Sequence, residues 1–429
     1  MNVPLYCYGT RMAHEDRMQD ACMGAGAAAP CRVTFVAAGL RCGGIERALV
    51  SLAGAMLERG HQVTVITFAP ESTDFFRLAP DAPRVSLNIR LGAPTPLLQL
   101  WSTTRARLQA LRAAIDASQP DVVISHAPQI NVPTLLAMRG SVVPVIVTEH
   151  GDVPVRPEAD RPWLWKKWIW YRLRRYCYPS AFRIVSVSRA IDRSFAWLPA
   201  ERRAVIHNPA PSIPAHASTH SALPVGLDPH RPWMISMGRL SHAKGHDLLL
   251  TAFARIAPQF PQWQLVIIGD GELRESLHRL ADELVHKNQV VFTGALASPF
   301  ALLGRAQFFV LASRYEGFPM AVAEALACGL PVIATDCPSR PRKFGERGRV
   351  AGGIRELVRD GVDGFLVPPE DPDALADAMA RWMQSPQERS QMAQQTASGT
   401  TRFSRERVIE DWERLLEQAM AGQRRGIAC

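Results

Sequence analysis

Residues 31–68, CRVTFVAAGLRCGGIERALVSLAGAMLERGHQVTVITF, constrain the fold more than any other stretch of the chain. An apolar strand (32–38) leads into a Gly-rich turn. Ile45, Ala48, Leu49, Leu52, Ala53, Met56 and Leu57 then recur at the i, i+3, i+4, i+7 spacing of an amphipathic helix. Gly60 is a good C-terminal stop for that helix, and QVTVITF is the next strand. Strand, helix and strand in this order make a βαβ unit and imply a parallel sheet.

The pattern continues. DVVISH, VPVIVTEH and AFRIVSVS are short apolar runs with room for helices between them. NPAPSIPAHASTHSALPVGLDPHRP then breaks the rhythm: it is rich in Pro, Ser and His, has no apolar periodicity, and reads as an interdomain linker. A second series follows, with strand WMISMG, helix 245–257, strand QLVIIG, helix 272–285 and strand VVFTG. A short helix, strand FFVLAS, helix 319–328 and strands PVIAT and GFLVP complete it. From Asp373 the chain is helical, and SRERVIEDWERLLEQAM is its last helix. The expected fold class is therefore α/β, with two doubly wound parallel sheets facing each other across a cleft. The expected divisions are a loose tail (1–30), an N-terminal domain (31–208), a linker (209–230), a C-terminal domain (231–400) and a terminal helix (401–429) crossing back to the first domain. Ligands of such folds sit in the cleft at the carboxyl ends of the strands.

A length of 429 residues fits two or three domains, and 47% apolar with 21% charged residues fits a soluble globular protein. The net charge of +9 favours anionic partners. Eight cysteines form no C-x-x-C pair and no zinc pattern, as expected of thiols in a reducing, cytoplasmic setting. Residues 1–30 lack the apolar core of a secretory signal and read as a tail, or as an early start before Met12, Met18 or Met23. ALASPFALLGRAQFFVLAS is the most membrane-like segment, but Pro299 and Arg305 interrupt it, and a helix–strand pair fits it better than a span.

Three strand-to-helix turns carry phosphate-binding chemistry. Gly43 and Gly44 lie between a strand and a helix N-terminus, where free N–H groups favour a phosphate or simply form a tight turn. G-x-G-x-x-G is missing, and VTVITFAP ends without a ribose-binding acid, which argues against a dehydrogenase. In SMGRLSHAKGHDLLL, Arg239 and Lys244 follow a strand end and Gly245 opens the next helix, a pairing that suits a diphosphate. Gly269 and Gly271 in IIGDGELRESL form a turn that a nucleotide can approach closely. The segment SRYEGFPMAVAEALACGLPVIATD places Glu316 before a helix and Glu324 within an apolar run, where a carboxylate is costly unless something binds it.

Strand-GGIER, TEH, SVS, HNP, G-R-x4-K-G, GDG-x5-L, FTG and E-G-F-P-x4-E occur in this order. With them the chain, from about Val33 to Leu416, resembles the retaining nucleotide-sugar-dependent glycosyltransferases of family four. The resemblance implies the GT-B fold, with two Rossmann-like domains. It places Glu316 beside the donor sugar and Glu324 on the nucleotide ribose. It makes Arg239 and Lys244 the diphosphate clamp, and Gly43 and Gly44 the N-domain loop that approaches phosphates or acceptor. Gly271, Gly317, Phe318 and Pro319 are expected to take part in nucleotide-sugar binding, the last three by opening a helix N-terminus toward phosphate. His150, after VPVIVTE, matches the histidine that contacts the donor sugar, and Asn208 marks the crossing into the linker. No metal and no cofactor are implied: the donor is a UDP- or GDP-sugar. The implied reaction transfers a hexose or N-acetylhexosamine, with retention, to a glycan or a polyprenyl- or lipid-linked acceptor. Cell-surface polysaccharide, lipopolysaccharide or glycolipid synthesis is the implied setting. The alternatives are a nucleotide-sugar epimerase of similar architecture and a non-catalytic basic membrane-binding protein.

Two basic stretches stand apart. Between Trp163 and Arg175, four tryptophans interleave with Lys166, Lys167, Arg172, Arg174 and Arg175. That pattern fits an anionic membrane surface, and equally a core helix with a solvated basic face. No nucleic-acid motif accompanies the charge. Arg340 to Val350 departs from the family pattern, as an insertion carrying Arg340, Arg342, Lys343, Arg347 and Arg349 beside the expected donor site. It reads as a surface loop or as an added anion contact.

Overall fold

Residues 29–89, 100–151, 164–210, 213, 223–286, 288–339 and 352–427 are described by a computed structural model of the chain. The tail through residue 28, half of the linker, Trp163 and the Arg340–Val350 segment lie outside the described residues.

The first half runs β1 (Arg32–Ala37), α1 (Gly44–Glu58), β2 (Gln62–Thr67), β3 (Arg84–Ser86), α2 (Leu100–Ala117), β4 (Val122–His126) and α3 (Pro128–Ala137). It continues with β5 (Val145–Glu149), α4 (Leu164–Cys177), β6 (Arg183–Ser186), α5 (Arg189–Asp192) and β7 (Arg203–Val205). The second runs β8 (Trp233–Met237), α6 (His246–Ile256), β9 (Gln264–Ile268), α7 (Arg274–Leu284), β10 (Val290–Gly294), α8 (Phe300–Leu303) and β11 (Phe308–Leu311). Then come α9 (Met320–Ala327), β12 (Val332–Thr335), α10 (Ile354–Leu357), β13 (Gly364–Val367), α11 (Pro372–Gln384), α12 (Pro386–Thr400) and α13 (Arg405–Ile427).

The strands form a seven-stranded sheet, β3-β2-β1-β4-β5-β6-β7, and a six-stranded sheet, β10-β9-β8-β11-β12-β13. Neighbouring strands pair in parallel, as Phe35 does with Val65 on one side and Ile124 on the other. Two doubly wound parallel sheets are thus the architecture the resemblance implies. In each sheet the winding reverses once, between β1 and β4 and between β8 and β11. Loops leaving adjacent strands diverge at such a reversal and open a crevice. Gly43 and Gly44 follow β1, Arg239 and Lys244 follow β8, and Glu316 follows β11, so the topology alone delivers these motifs to the two crevices.

Burial follows the amphipathic pattern. Leu49, Leu52, Ala53 and Met56 of α1 pack on Phe35, Val65 and Ile124. Trp412, Leu415, Leu416 and Ala419 of α13 join the same core, so the last helix packs on the first sheet. Polar contacts fix it there. Arg405 pairs with Glu58. The Cys31 backbone N–H donates to His61 Nδ1 (3.3 Å), which puts the ring proton on Nε2, facing Glu413 Oε1 at 3.6 Å. The core of the second domain is built around Leu249, Phe253, Leu265, Phe308 and Trp382.

Several helices are shorter than the periodicity suggests. Gly245 stands outside α6 because its φ is +63°, and a Cβ there would lie 2.0 Å from the Ala312 carbonyl oxygen. Only glycine fits that turn. Pro319 is the N-cap of α9, not its first helical residue. Among the described residues no helix is long and apolar enough to cross a membrane.

Candidate functional site

A cleft of about 1330 Å³ lies between the two sheets, lined from one side by Gly43, Gly44, Glu46, Arg47 and His150 and from the other by Arg239, Lys244, Gly269 and Glu324.

On the C-terminal side, a short 3₁₀ turn (His242–Lys244) carries Lys244 toward the loop after β11. Lys244 Nζ donates to Glu316 Oε1 at 2.5 Å, and Ser313 Oγ donates to the same oxygen at 2.8 Å. Glu316, 8% exposed, is further held by its backbone N–H to the Pro338 carbonyl at 2.8 Å. The loop holding Glu316 is therefore fixed by packing and hydrogen bonds, and one carboxylate oxygen is already committed. Arg239 is exposed and forms no ion pair among the described residues, which leaves it able to meet an anion.

Glu324, 2% exposed, sits inside α9. Its carboxylate is in ion-pair contact with Arg47 Nε, which reaches it from α1 in the other domain. The guanidinium lies 5.3 Å from the Phe300 ring centre and 5.6 Å from that of Phe76, and Nη1 donates to the Ala297 carbonyl at 3.3 Å. Burial pushes the Glu324 carboxyl up to about 7, and Arg47 opposes that rise. Nearby, Glu46 folds back over the start of α1: a Cβ on Gly43 would lie 2.2 Å from Glu46 Oε2. Burial raises the Glu46 carboxyl, offset by its own backbone N–H, Arg239 and Arg41. The α1 N-terminus assigned to phosphate from sequence is thus shared with an internal carboxylate.

His150 follows β5. Thr148 Oγ1 donates its single proton to the Ser125 carbonyl (3.1 Å), so it can only accept from His150 Nε2, 3.0 Å away. The ring proton therefore sits on Nε2, and Nδ1, buried without a hydrogen-bond partner, presents a lone pair. Burial holds the His150 imidazole down at about 4, so it stays neutral. Thr148→Val removes the constraint on the tautomer. It is expected to lower transfer efficiency on the order of tenfold, the worth of one hydrogen bond, with Thr148→Ser close to wild type in the same kcat/KM assay.

The structure brings Glu316, Glu324, His150, Arg239, Lys244, Gly43 and Gly44 to one region. Gly317 abuts it directly, since a Cβ there would lie 2.2 Å from the His150 carbonyl oxygen. The two domains meet at that point, and no larger residue fits. Phe318 points elsewhere, its ring packed 5.4 Å from those of His207 and Phe403, so only its backbone faces the α9 entrance. Gly271 lies against the loop after β8, where a Cβ would come 2.5 Å from the Leu240 carbonyl oxygen. Glu46 and Arg47 of GGIER, Thr148 of TEH, and Ser313 are site residues to which the sequence reading gave no role. Their place within or just before a motif at a strand end is the one available signal. Trp170, Arg172, Arg174 and Arg175 fall on α4. There Arg174 Nη2 pairs with the fully buried Glu149 at 3.0 Å, while Ile169 and Tyr176 are exposed.

Residues 42–211 match the family model described as Glycosyltransferase Family 4, and residues 224–398 match glycosyl transferases group 1. Over 390 residues the chain is 28% identical to GalNAc-alpha-(1->4)-GalNAc-alpha-(1->3)-diNAcBac-PP-undecaprenol alpha-1,4-N-acetyl-D-galactosaminyltransferase of Campylobacter jejuni, spanning 90% of this chain and 98% of that one. Among solved structures it resembles Anabaena Alr3699/HepE in complex with UDP and glucose, with a TM-score of 0.70 and 21% identity over 90% of this chain and 100% of that one. It also resembles sucrose-phosphate synthase from Thermosynechococcus elongatus, with a TM-score of 0.73 and 20% identity over 91% and 100%. At these identities the structural likeness is one of fold.

Proposed function

The chain belongs to the family-four, group 1 glycosyltransferases of GT-B fold, its two halves matching the two family models in turn, and on that premise we propose that it transfers a hexose or N-acetylhexosamine, with retention, from a nucleoside-diphosphate sugar to a glycan or lipid-linked saccharide. The observation that carries this reading is the convergence of Arg239, Lys244, Glu316 and Glu324 with His150 across one interdomain cleft. UDP and glucose in the Anabaena structure support a nucleotide-sugar donor. The undecaprenyl-diphosphate saccharide in the Campylobacter enzyme's name supports a lipid-linked acceptor.

In the proposed mechanism the ribose hydroxyls bind Glu324, and the diphosphate lies at the entrance of α9 between Arg239 and Lys244. The sugar sits between Glu316 and His150. The bond from the anomeric carbon to the phosphate oxygen breaks as the acceptor hydroxyl approaches from the same face. The acceptor oxygen bonds to that carbon and its proton passes to the departing phosphate. Charge grows on the phosphate and on the sugar ring, as in glycosidic chemistry generally. Arg239 and Lys244 stabilise the first and Glu316 the second. His150, neutral, forms part of the wall of the sugar seat. Screening a panel of UDP- and GDP-sugars for binding tests the reading, with saturable binding of one class expected. Binding of none would remove it.

The α4 region supports peripheral attachment at the cytoplasmic membrane face. The chain is expected to co-sediment with vesicles containing anionic lipid and not with neutral ones, and to release at high salt. Equal recovery in both supernatants would favour a water-soluble acceptor.

A further inference from the structure

The side chain of Arg47 spans the cleft. It rises from α1 in the N-terminal domain and ends on Glu324 in the C-terminal domain. Its guanidinium rests between Phe76 of its own domain and Phe300 of the other, and its Nη1 caps the Ala297 carbonyl across the cleft. The neighbouring Gly44 comes so near α9 that a Cβ there would be 3.6 Å from Met320 Cγ. These contacts join one domain to the other across the cleft. Glu324 is nearly inaccessible, and a carboxylate so placed stays charged only with a partner. To accept a ribose hydroxyl on each carboxylate oxygen without donating, it has to be charged.

We propose that Arg47 is a positioning residue that reaches across from the N-terminal domain to hold Glu324 ionised and oriented, so that the grip on the nucleotide is complete only in the closed enzyme. The inference rests on the reading of Glu324 as the ribose contact. It makes donor affinity a property of both domains, although Glu324, Arg239 and Lys244, which hold ribose and diphosphate in the proposed mechanism, all lie in one of them.

Few other charges act on Glu324. Among the described residues Arg47 is the charged group acting on it. Cys328, one turn along α9, is a thiol pushed up to about 12 by burial and by Glu324, and so stays protonated. The strands β11 and β12 and the helix α12, which also pack on α9, place no charge against it. Without Arg47 the Glu324 carboxyl, already at about 7, moves higher still. At neutral pH it then carries its proton, and alkaline pH restores the charge.

The test is titration of wild type, Arg47→Met, Arg47→Lys, Glu324→Gln and the Arg47→Met/Glu324→Gln double variant with UDP and with GDP. Measurements are made near pH 7 and near pH 8.5. Arg47→Met is expected to weaken binding of the accepted nucleotide about tenfold near pH 7 and much less near pH 8.5. Arg47→Lys is expected to remain within about threefold of wild type. The double variant is expected to bind no worse than Glu324→Gln, because Arg47 acts through that carboxylate. A pH-independent loss, additive losses, or tighter binding by Arg47→Met would overturn the proposal while leaving the donor reading intact. Tighter binding would mean that Arg47 plugs the ribose seat. If wild type binds neither nucleotide, the proposed function fails and this inference fails with it.

Discussion

Glu316→Gln is expected to lower kcat by about 10²–10³-fold with nucleotide affinity close to wild type. The glutamine keeps the shape and still accepts from Lys244 and Ser313 through its amide oxygen, bonds that measure 2.5 and 2.8 Å in the native protein. What it loses is the negative charge beside a sugar that becomes cationic on the way to the transition state. An interaction made only there lowers kcat and kcat/KM together. A rise in KM with kcat unchanged would place Glu316 in ground-state binding, and near-full turnover would take it out of the site altogether.

Removing the two cations is expected to separate them. Arg239 is exposed and unpaired among the described residues, so Arg239→Ala should leave the melting temperature unchanged. It should weaken nucleoside-diphosphate binding about ten- to a hundredfold, the range of a hydrogen bond to a charged group. Lys244→Ala deletes the proposed phosphate contact and also strips the largely buried Glu316 of its ion partner. It is expected to lose kcat/KM by about 10³-fold or more and to melt earlier, because a buried charge left alone is destabilising. Thermal shift alongside donor titration checks both. Equal melting points for the two variants would contradict the Lys244–Glu316 pairing.

The fold was largely legible in the sequence, because the parallel α/β pattern rests on local periodicity. Ile45 through Leu57 face one way at helical spacing, and VTFVA and VTVIT are short enough for strands. Helix ends were less legible. The start of α6 depends on the left-handed turn at Gly245 against Ala312, a contact 67 residues distant in sequence. The individual carriers of charge, Arg239, Lys244, Glu316 and Glu324, were visible as motif residues after strand ends. Their partners were not. No local pattern says that Arg47, an ordinary cation in the first turns of α1, ends on a carboxylate in the other domain. Nor does one say that Glu46 covers its own helix N-terminus. The proton position on His150 likewise depends on Thr148 being satisfied by Ser125, a neighbour on the adjacent strand. The Phe318 side chain was not legible either: its ring belongs to an aromatic cluster with His207 and Phe403, which no local pattern indicates.

The central claim is that this cleft transfers a sugar from a nucleoside diphosphate with its anomeric configuration kept. The most direct measurement is proton NMR of the reaction mixture, with a panel of α-linked UDP- and GDP-sugars and a lipid-diphosphate saccharide acceptor. Nucleoside diphosphate and the anomeric proton of the product are followed together. One nucleoside diphosphate is expected to be released per α-linkage formed. A β-linked product, or no nucleoside diphosphate from any donor with folded protein, would contradict it.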